Sequence, residues 1–252
     1  MELALFVKNG GTAMLRHKAM NMFLMFLVGS LMGYGQIKIY PHLTGDPNFT
    51  TMLYLENPTD EERVFQFVPY DKNGARVPQV LEAVPAHATR VFEKVALLDL
   101  AATHFVLGSE ENPADGLSVT ISYRVTEGSG SPAHYQPSFN PAETWRFYGG
   151  EWDTVYDGLA IINAGTQPVT ITVSQLDLQG VVMHSEAIVT DLPVMAKALY
   201  VLGSQDGSVF AQQADSYFVV EGSGPLCVTA LRGSHDSKLL WVNQVFIVED
   251  IR

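Results

Sequence analysis

Disulfides cannot hold this chain together: its 252 residues contain one cysteine, Cys227, and a lone thiol has no internal partner. Basic charge is also scarce. Lys and Arg number 15 against 27 Asp and Glu, a formal net charge of −12. Such a surface repels phosphate backbones and gains nothing from anionic headgroups, so nucleic acid is not an expected partner. The chain has no His-x-His pair, no His-Glu-x-x-His, no Gly-x-Ser-x-Gly and no Asp-x-Asp-x-Asp-Gly loop, so the usual zinc, serine-hydrolase and calcium signatures are missing. Apolar residues are plentiful, at 47% against 17% charged, and that balance belongs to a folded chain rather than a disordered one. The length suits two domains of roughly 100 residues, each large enough to bury a core.

Arg16, His17 and Lys18 precede an apolar run over residues 22–32, and Gly33-Tyr34-Gly35 follows it. Basic, apolar, small is the order of a secretory signal peptide. The run is shorter than the roughly 20 residues that span a bilayer, so cleavage after Gly35 is favoured over an uncleaved anchor. Met14 or Met20 opens a more ordinary signal than Met1 does. Residues 1–35 are expected to leave the mature chain, which then has no transmembrane segment. Cys227, between Leu226 and Val228, reads as a buried, inert thiol.

From residue 36 onward the apolar pattern alternates every two residues. Leu53 and Leu55, Phe65 and Phe67, and Leu117, Val119 and Ile121 each fall on one face, the period of a half-buried strand. Turn residues punctuate these runs at Asn57-Pro58-Thr59-Asp60, Asp71-Lys72-Asn73-Gly74 and Gly128-Ser129-Gly130. Two stretches, 91–102 and 209–214, are expected to be short helical turns.

The strand plan occurs twice. A shift of 106 residues carries Leu53, Leu55, Asn57, Phe65, Phe67, Asp71 and Gly74 onto Leu159, Ile161, Asn163, Ile171, Val173, Asp177 and Gly180 without a gap. Further on, Pro85 matches Pro193; Leu117, Val119 and Ile121 match Leu226, Val228 and Ala230; and Tyr135 falls near Trp241. A rival register at a shift of 94 lays 122–130 on 216–224; it breaks the order of the other matches and is set aside as convergence. The chain is therefore expected to be all-β: two tandem antiparallel β-sandwich domains over 36–138 and 139–252, joined at Pro137-Ser138-Phe139-Asn140-Pro141, with a short helical turn in each.

The run Leu-x-Leu-x-Asn-Pro, a second strand and Asp-x-x-Gly over 53–74 resembles immunoglobulin-like and fibronectin III-like modules of exported bacterial proteins. The paired Cys and buried Trp of antibody domains are absent. The resemblance implies adhesion, spacing or accessory binding, and it speaks to architecture more than to activity.

Candidate chemistry is sparse. The histidines, lacking ligand spacing, read as surface or turn residues. Gly128-Ser129-Gly130 and Gly222-Ser223-Gly224 read as hairpin turns, and Glu61-Glu62 as a solvated acidic edge. Asp46-Pro47-Asn48, Glu110-Glu111-Asn112 with Asp115, and Asp206 carry the oxygen donors that calcium takes, although solvated turns explain them. No catalytic residue, metal ligand or cofactor is assigned. The binding candidates are aromatic: Tyr148, Trp152 and Tyr156, since exposed rings stack on sugars and anchor interfaces. Trp145 and Phe147 beside them read as the core face of a strand. The expected function is a non-enzymatic structural, adhesion or protein-interaction module, secreted, periplasmic or on the cell surface, with a protein or glycan partner. A carbohydrate-binding accessory protein is the alternative, and a hydrolase the more distant one. The oligomeric state is not legible.

Overall fold

The computed structural model describes residues 38–109, 112–126, 133–135, 140–202, 210, 215–235, 240–243 and 245–248, with only strand placement for 133–135, 241 and 242. The expected signal peptide over 1–35 lies outside them, as do 128–130, Pro137, Asp206 and the stretch 209–214 except Phe210. Residues 36–252 form one compact unit.

The chain is all-β and antiparallel. Among the described residues, eight strands precede residue 140: β1 (Lys38–Tyr40), β2 (Phe49–Asn57), β3 (Arg63–Tyr70), β4 (Val80–Val84), β5 (Ala88–Glu93), β6 (His104–Leu107), β7 (Ser118–Val125) and β8 (Ala133–Tyr135). They make two sheets, β1-β6-β3-β4 and β5-β2-β7-β8. The faces meet on Leu53, Leu55, Phe65, Phe67, Phe105, Val119 and Ile121, all fully buried. Among the described residues helix is confined to one turn, α1 (Lys94–Leu97); the expected stretch 91–102 begins instead as β5, because Val91 and Phe92 pair with Tyr54 and Leu53.

The second half repeats this plan. Its strands are β9 (Ala142–Phe147), β10 (Val155–Asn163), β11 (Val169–Asp177), β12 (Val182–Leu192), β13 (Lys197–Leu202), β14 (Ser216–Ser234), β15 (Leu240–Asn243) and β16 (Val245–Ile247). One half of β14 lies between β9 and β11, with β12 beyond β11; its other half lies between β10 and β15, with β13 beyond β10. These are the two sheet orders of the first half, strand for strand, with β14 standing for β6 and β7 together. β16 is an addition with no counterpart among the described residues.

Register confirms the repeat. Leu53 and Leu55 face Ile121 and Val119, as Leu159 and Ile161 face Ala230 and Val228. The rival shift of 94 is excluded, since residues 118–125 pair with β2 whereas 216–222 pair with β11. Tyr135 corresponds to Asn243, two residues beyond Trp241. An aromatic stack recurs as well: Tyr40 on Phe105 at 4.5 Å and Phe147 on Phe218 at 5.2 Å.

Polar clamps are duplicated with the strands. The buried Asn57 Nδ2 donates to the carbonyls of Glu61 and Val84, and Asn163 Nδ2 to those of Gln167 and Leu192. Asp71 accepts from the amides of Asn73 and Ala75, and Asp177 from those of Gln179 and Val181. Gly74 and Gly180 close these turns at φ 84° and 83°, a conformation glycine adopts without penalty. His87 and Met195 hold matching positive φ values in the β4–β5 and β12–β13 turns.

Gly222-Ser223-Gly224 is not a hairpin turn. It lies within β14, where the strand passes from one sheet to the other. A Cβ on Gly222 would meet the Gly224 carbonyl at 2.5 Å, and Pro225 has no N–H for the ladder. The bend therefore falls where pairing is weakest.

The two halves meet where β8 lies beside β15, where Leu231 and Leu240 join the first half's core, and through one turn of each. Lys197 N donates to Lys72 O at 3.0 Å, and a Cβ on Gly74 would lie 2.5 Å from Val194 O and 2.7 Å from Ala196 N. Ile39 packs with Ile162 and Cys227 beside this contact. The corresponding Gly180 has only the Tyr217 hydroxyl near, at 3.7 Å. Gly74→Ala therefore adds backbone collision to turn strain, whereas Gly180→Ala adds turn strain alone, about 1 kcal/mol. Urea melts of the two variants should show Gly74→Ala losing at least about twice as much stability as Gly180→Ala; equal losses would mean that the contact tolerates a methyl group.

Candidate functional site

The three aromatic candidates occupy separate settings. A fully buried carboxylate, Asp157, organises the segment that carries them. It accepts from Gly150 N at 2.6 Å, Trp152 Nε1 at 3.0 Å and Arg232 Nε at 2.8 Å. Trp152 thus spends its indole N–H internally and lays its ring on Phe218 at 5.6 Å. Tyr156 covers Gly233, where a Cβ would meet its ring at 2.4 Å, and neighbours His235 at 6.1 Å. Tyr148 alone is exposed, at 46%, with its carbonyl pinned by Arg232 Nη2 and Asn243 Nδ2. Trp145 and Phe147 are fully buried core.

Around Tyr148 lies a group that sequence reasoning missed. Arg146 sits one residue before the end of β9 on its outward face, opposite Val219 on β14 and Phe246 on β16. Its guanidinium carbon lies 5.9 Å from the Tyr148 ring, 5.7 Å from Tyr217 and 5.8 Å from Phe246, within reach of the attraction between a cation and a π face. Its Nε is buried without a hydrogen-bond partner, and no carboxylate pairs with it among the described residues. A guanidinium framed by rings and free of an internal acid can take a carboxylate through two parallel hydrogen bonds. The outward position was readable from the alternation Trp145, Arg146, Phe147; the missing partner was not.

A second basic group is closed inside. His42 and His104, expected at the surface, are buried where the halves meet, because Lys197 of β13 and the Met195 carbonyl cover them. Lys197 Nζ donates to Thr103 O at 2.7 Å and to His42 Nδ1 at 3.2 Å. His104 Nε2 donates to Met195 O at 2.8 Å, so its Nδ1 accepts from the Thr103 hydroxyl at 3.0 Å. With burial holding both rings neutral, these contacts place each proton on Nε2. Burial, then Lys197, pushes His104 down to about 3. Burial and then Lys94 bring Lys197 down to about 7, and His42 is held well below its usual value by burial first. This arrangement joins the halves and leaves the cations little water or acid to settle them.

Cys227 is buried, its thiol pushed up to about 12 by desolvation. Asp46 accepts from the Asn48 amide at 2.9 Å in a local turn. Glu110, Glu111 and Asp206 lie outside the described residues, and among those described no group of three or more His, Cys, Asp or Glu could hold a metal ion. No described helix is long and apolar enough to cross a membrane.

The buried His104 makes stability depend on pH. Its folded value near 3 lies below the ordinary 6.5, so between those limits the unfolded chain binds more protons and stability rises with pH. Acidification from pH 6.5 to 3 should cost the native chain on the order of a few kcal/mol from this ring. His104→Gln retains a donor for Met195 O but cannot titrate. Denaturant melts across that range should show a shallower loss in the variant; an unchanged slope would clear His104 of the effect.

Comparison of the chain with protein-family models, with curated proteins and with solved structures finds no match.

Proposed function

We propose that this chain is an exported, non-enzymatic structural and protein-contact module, working outside the cytoplasm in the envelope, at the cell surface or in the medium. The observation that carries the reading is the outward face of the second half. There Arg146, without an internal acid, stands among Tyr148, Tyr217 and Phe246, and arginine and tyrosine are the side chains that anchor protein interfaces. The signal-like start and the resemblance to immunoglobulin-like and fibronectin III-like modules support the same reading.

A second reading shares the site. Tyr148, half exposed beside an unpaired guanidinium, also suits a sugar ring bearing a carboxylate. A photo-crosslinking residue placed at Tyr148 in the exported chain separates the two. The protein-contact reading expects discrete protein adducts from position 148 and none from a control at Leu100, which is 76% exposed and lies in the other half, between α1 and β6. Equal adducts at both positions, or none at 148, would sink it. A glycan array that lights up and goes dark on Tyr148→Ala would move the assignment to carbohydrate.

A further inference from the structure

The repeat allows each half's surfaces to be compared position by position: one docking face is used within the molecule, and among the described residues its counterpart makes no such contact. Within the molecule Ile39 of β1 lies against Ile162 of β10 and Cys227 of β14. In the second half the residue matching Ile39 is Arg146: Ile39 pairs with Val106, Arg146 with Val219, and those two pair with Val68 and Ser174, equivalent across the shift of 106. In the first half the residues matching Ile162 and Cys227 are Glu56 and Ser118, which pair with one another as Ile162 pairs with Cys227. An apolar trio at the covered junction thus corresponds to an arginine on one free face and a glutamate and a serine on the other.

Two backbone-directed contacts carry over with their chemistry intact, whereas the Lys197 Nζ bonds to Thr103 O and His42 do not, since Thr89 stands in place of Lys197. His104 Nε2 donates to the Met195 carbonyl; His104 corresponds to Tyr217 and Met195 to His87, and a tyrosine hydroxyl can donate to a carbonyl as an imidazole does. Lys197 N donates to Lys72 O; their counterparts are Thr89 N, on an edge strand, and Leu178 O. The docked turn of the first half bears Lys72, Ala75 and Arg76. The free turn of the second bears Leu178, Val181 and Val182, each more than half exposed at 57%, 60% and 56%. Exposed apolar side chains grouped beside a polar rim mark a contact surface.

We propose that the free face of the second half docks the free face of the first half of another copy of this chain, by the same operation that joins the two halves within a molecule. This deepens the protein-contact reading of the Arg146 face and names its occupant. Arg146 of one copy meets Glu56, which accepts from the Ser118 hydroxyl at 2.7 Å on one oxygen and has no hydrogen-bond partner for the other among the described residues. The contact is heterologous, head to tail, so each copy leaves one face for the next and the product is an open chain rather than a closed dimer. β16 flanks the docking face and adds Phe246 to its rim.

Sedimentation velocity of the full chain at rising concentration tests this. The wild type should show a sedimentation coefficient that climbs without plateau. Arg146→Glu and Glu56→Arg should each lower the association constant by at least about tenfold, as like charges replace opposite ones at the centre of the contact. An equimolar mixture of the two variants should associate again, because each then offers the other an opposite charge at both faces. Association driven by the apolar N-terminal run would ignore these substitutions. If either reversal fails to fold by circular dichroism, Tyr217→Phe, which removes one hydroxyl, should still weaken association. A wild type that stays monomeric, a discrete dimer, insensitive variants or a mixture that does not recover would overturn the proposal. A monomeric wild type that still cross-links to another protein from position 148 would overturn self-association alone and leave the protein-contact reading standing.

Discussion

A strand that slips by one residue turns its buried side chains to water, and every sheet in this molecule is exposed to that hazard because its pairings join distant segments. No disulfide guards the register. It is held instead by buried polar side chains whose geometry admits one alignment. Asn57 ties the start of the β2–β3 turn to the end of β4, and Asn163 does the same for β10 and β12. The Asp71 and Asp177 turns then fix where β3 and β11 end. The apolar faces supply the driving force, and these clamps decide which pairing it stabilises.

The two halves share this frame and differ in what they cover. The first half turns an apolar patch at Ile39, and the neutral rings of His42 and His104, toward its neighbour. The second half has Arg146 and Tyr217 at the places of Ile39 and His104, and there the guanidinium lies among the rings of Tyr148, Tyr217 and Phe246. The divergence is greatest at outward-facing positions: the inward ones at the middle of the strands stay apolar in both copies, as Leu53 with Leu159 and Phe105 with Phe218 illustrate, while further along the same faces Asp157 and Arg232 stand where the first half has Thr51 and Tyr123. Cores restrict substitution to shapes that fill the same volume, whereas the outer face of a sheet is free to become a junction in one copy and a contact surface in the other.

How far the sequence disclosed this follows from the range of each interaction. The strands, the Asn and Asp-x-x-Gly positions and the gapless repeat over 53–74 and 159–180 were legible, because each depends on neighbours within a few residues. The burial of Trp145 and Phe147 was legible from alternation. The burial of His42 and His104 was not, since what covers them comes from Met195 and Lys197, far along the chain. Gly222-Ser223-Gly224 misled because glycine and serine signal both turns and bends, and only the pairing on either side tells them apart. Arg146 could be placed on the outer face from its neighbours, but its correspondence to Ile39 runs through strand register and leaves no trace in residue identity.

β14 carries a consequence of its own. In the first half, residues 108–117 intervene between β6 and β7, so those strands belong to separate sheets linked by a loop. In the second half one unbroken strand serves both sheets. Its backbone is a shared beam: a pull that peels β9 or β11 from one layer bears directly on β10 and β15 in the other. Under tension along the chain, the first sandwich has slack to give between its layers, while the second must yield in both layers at once.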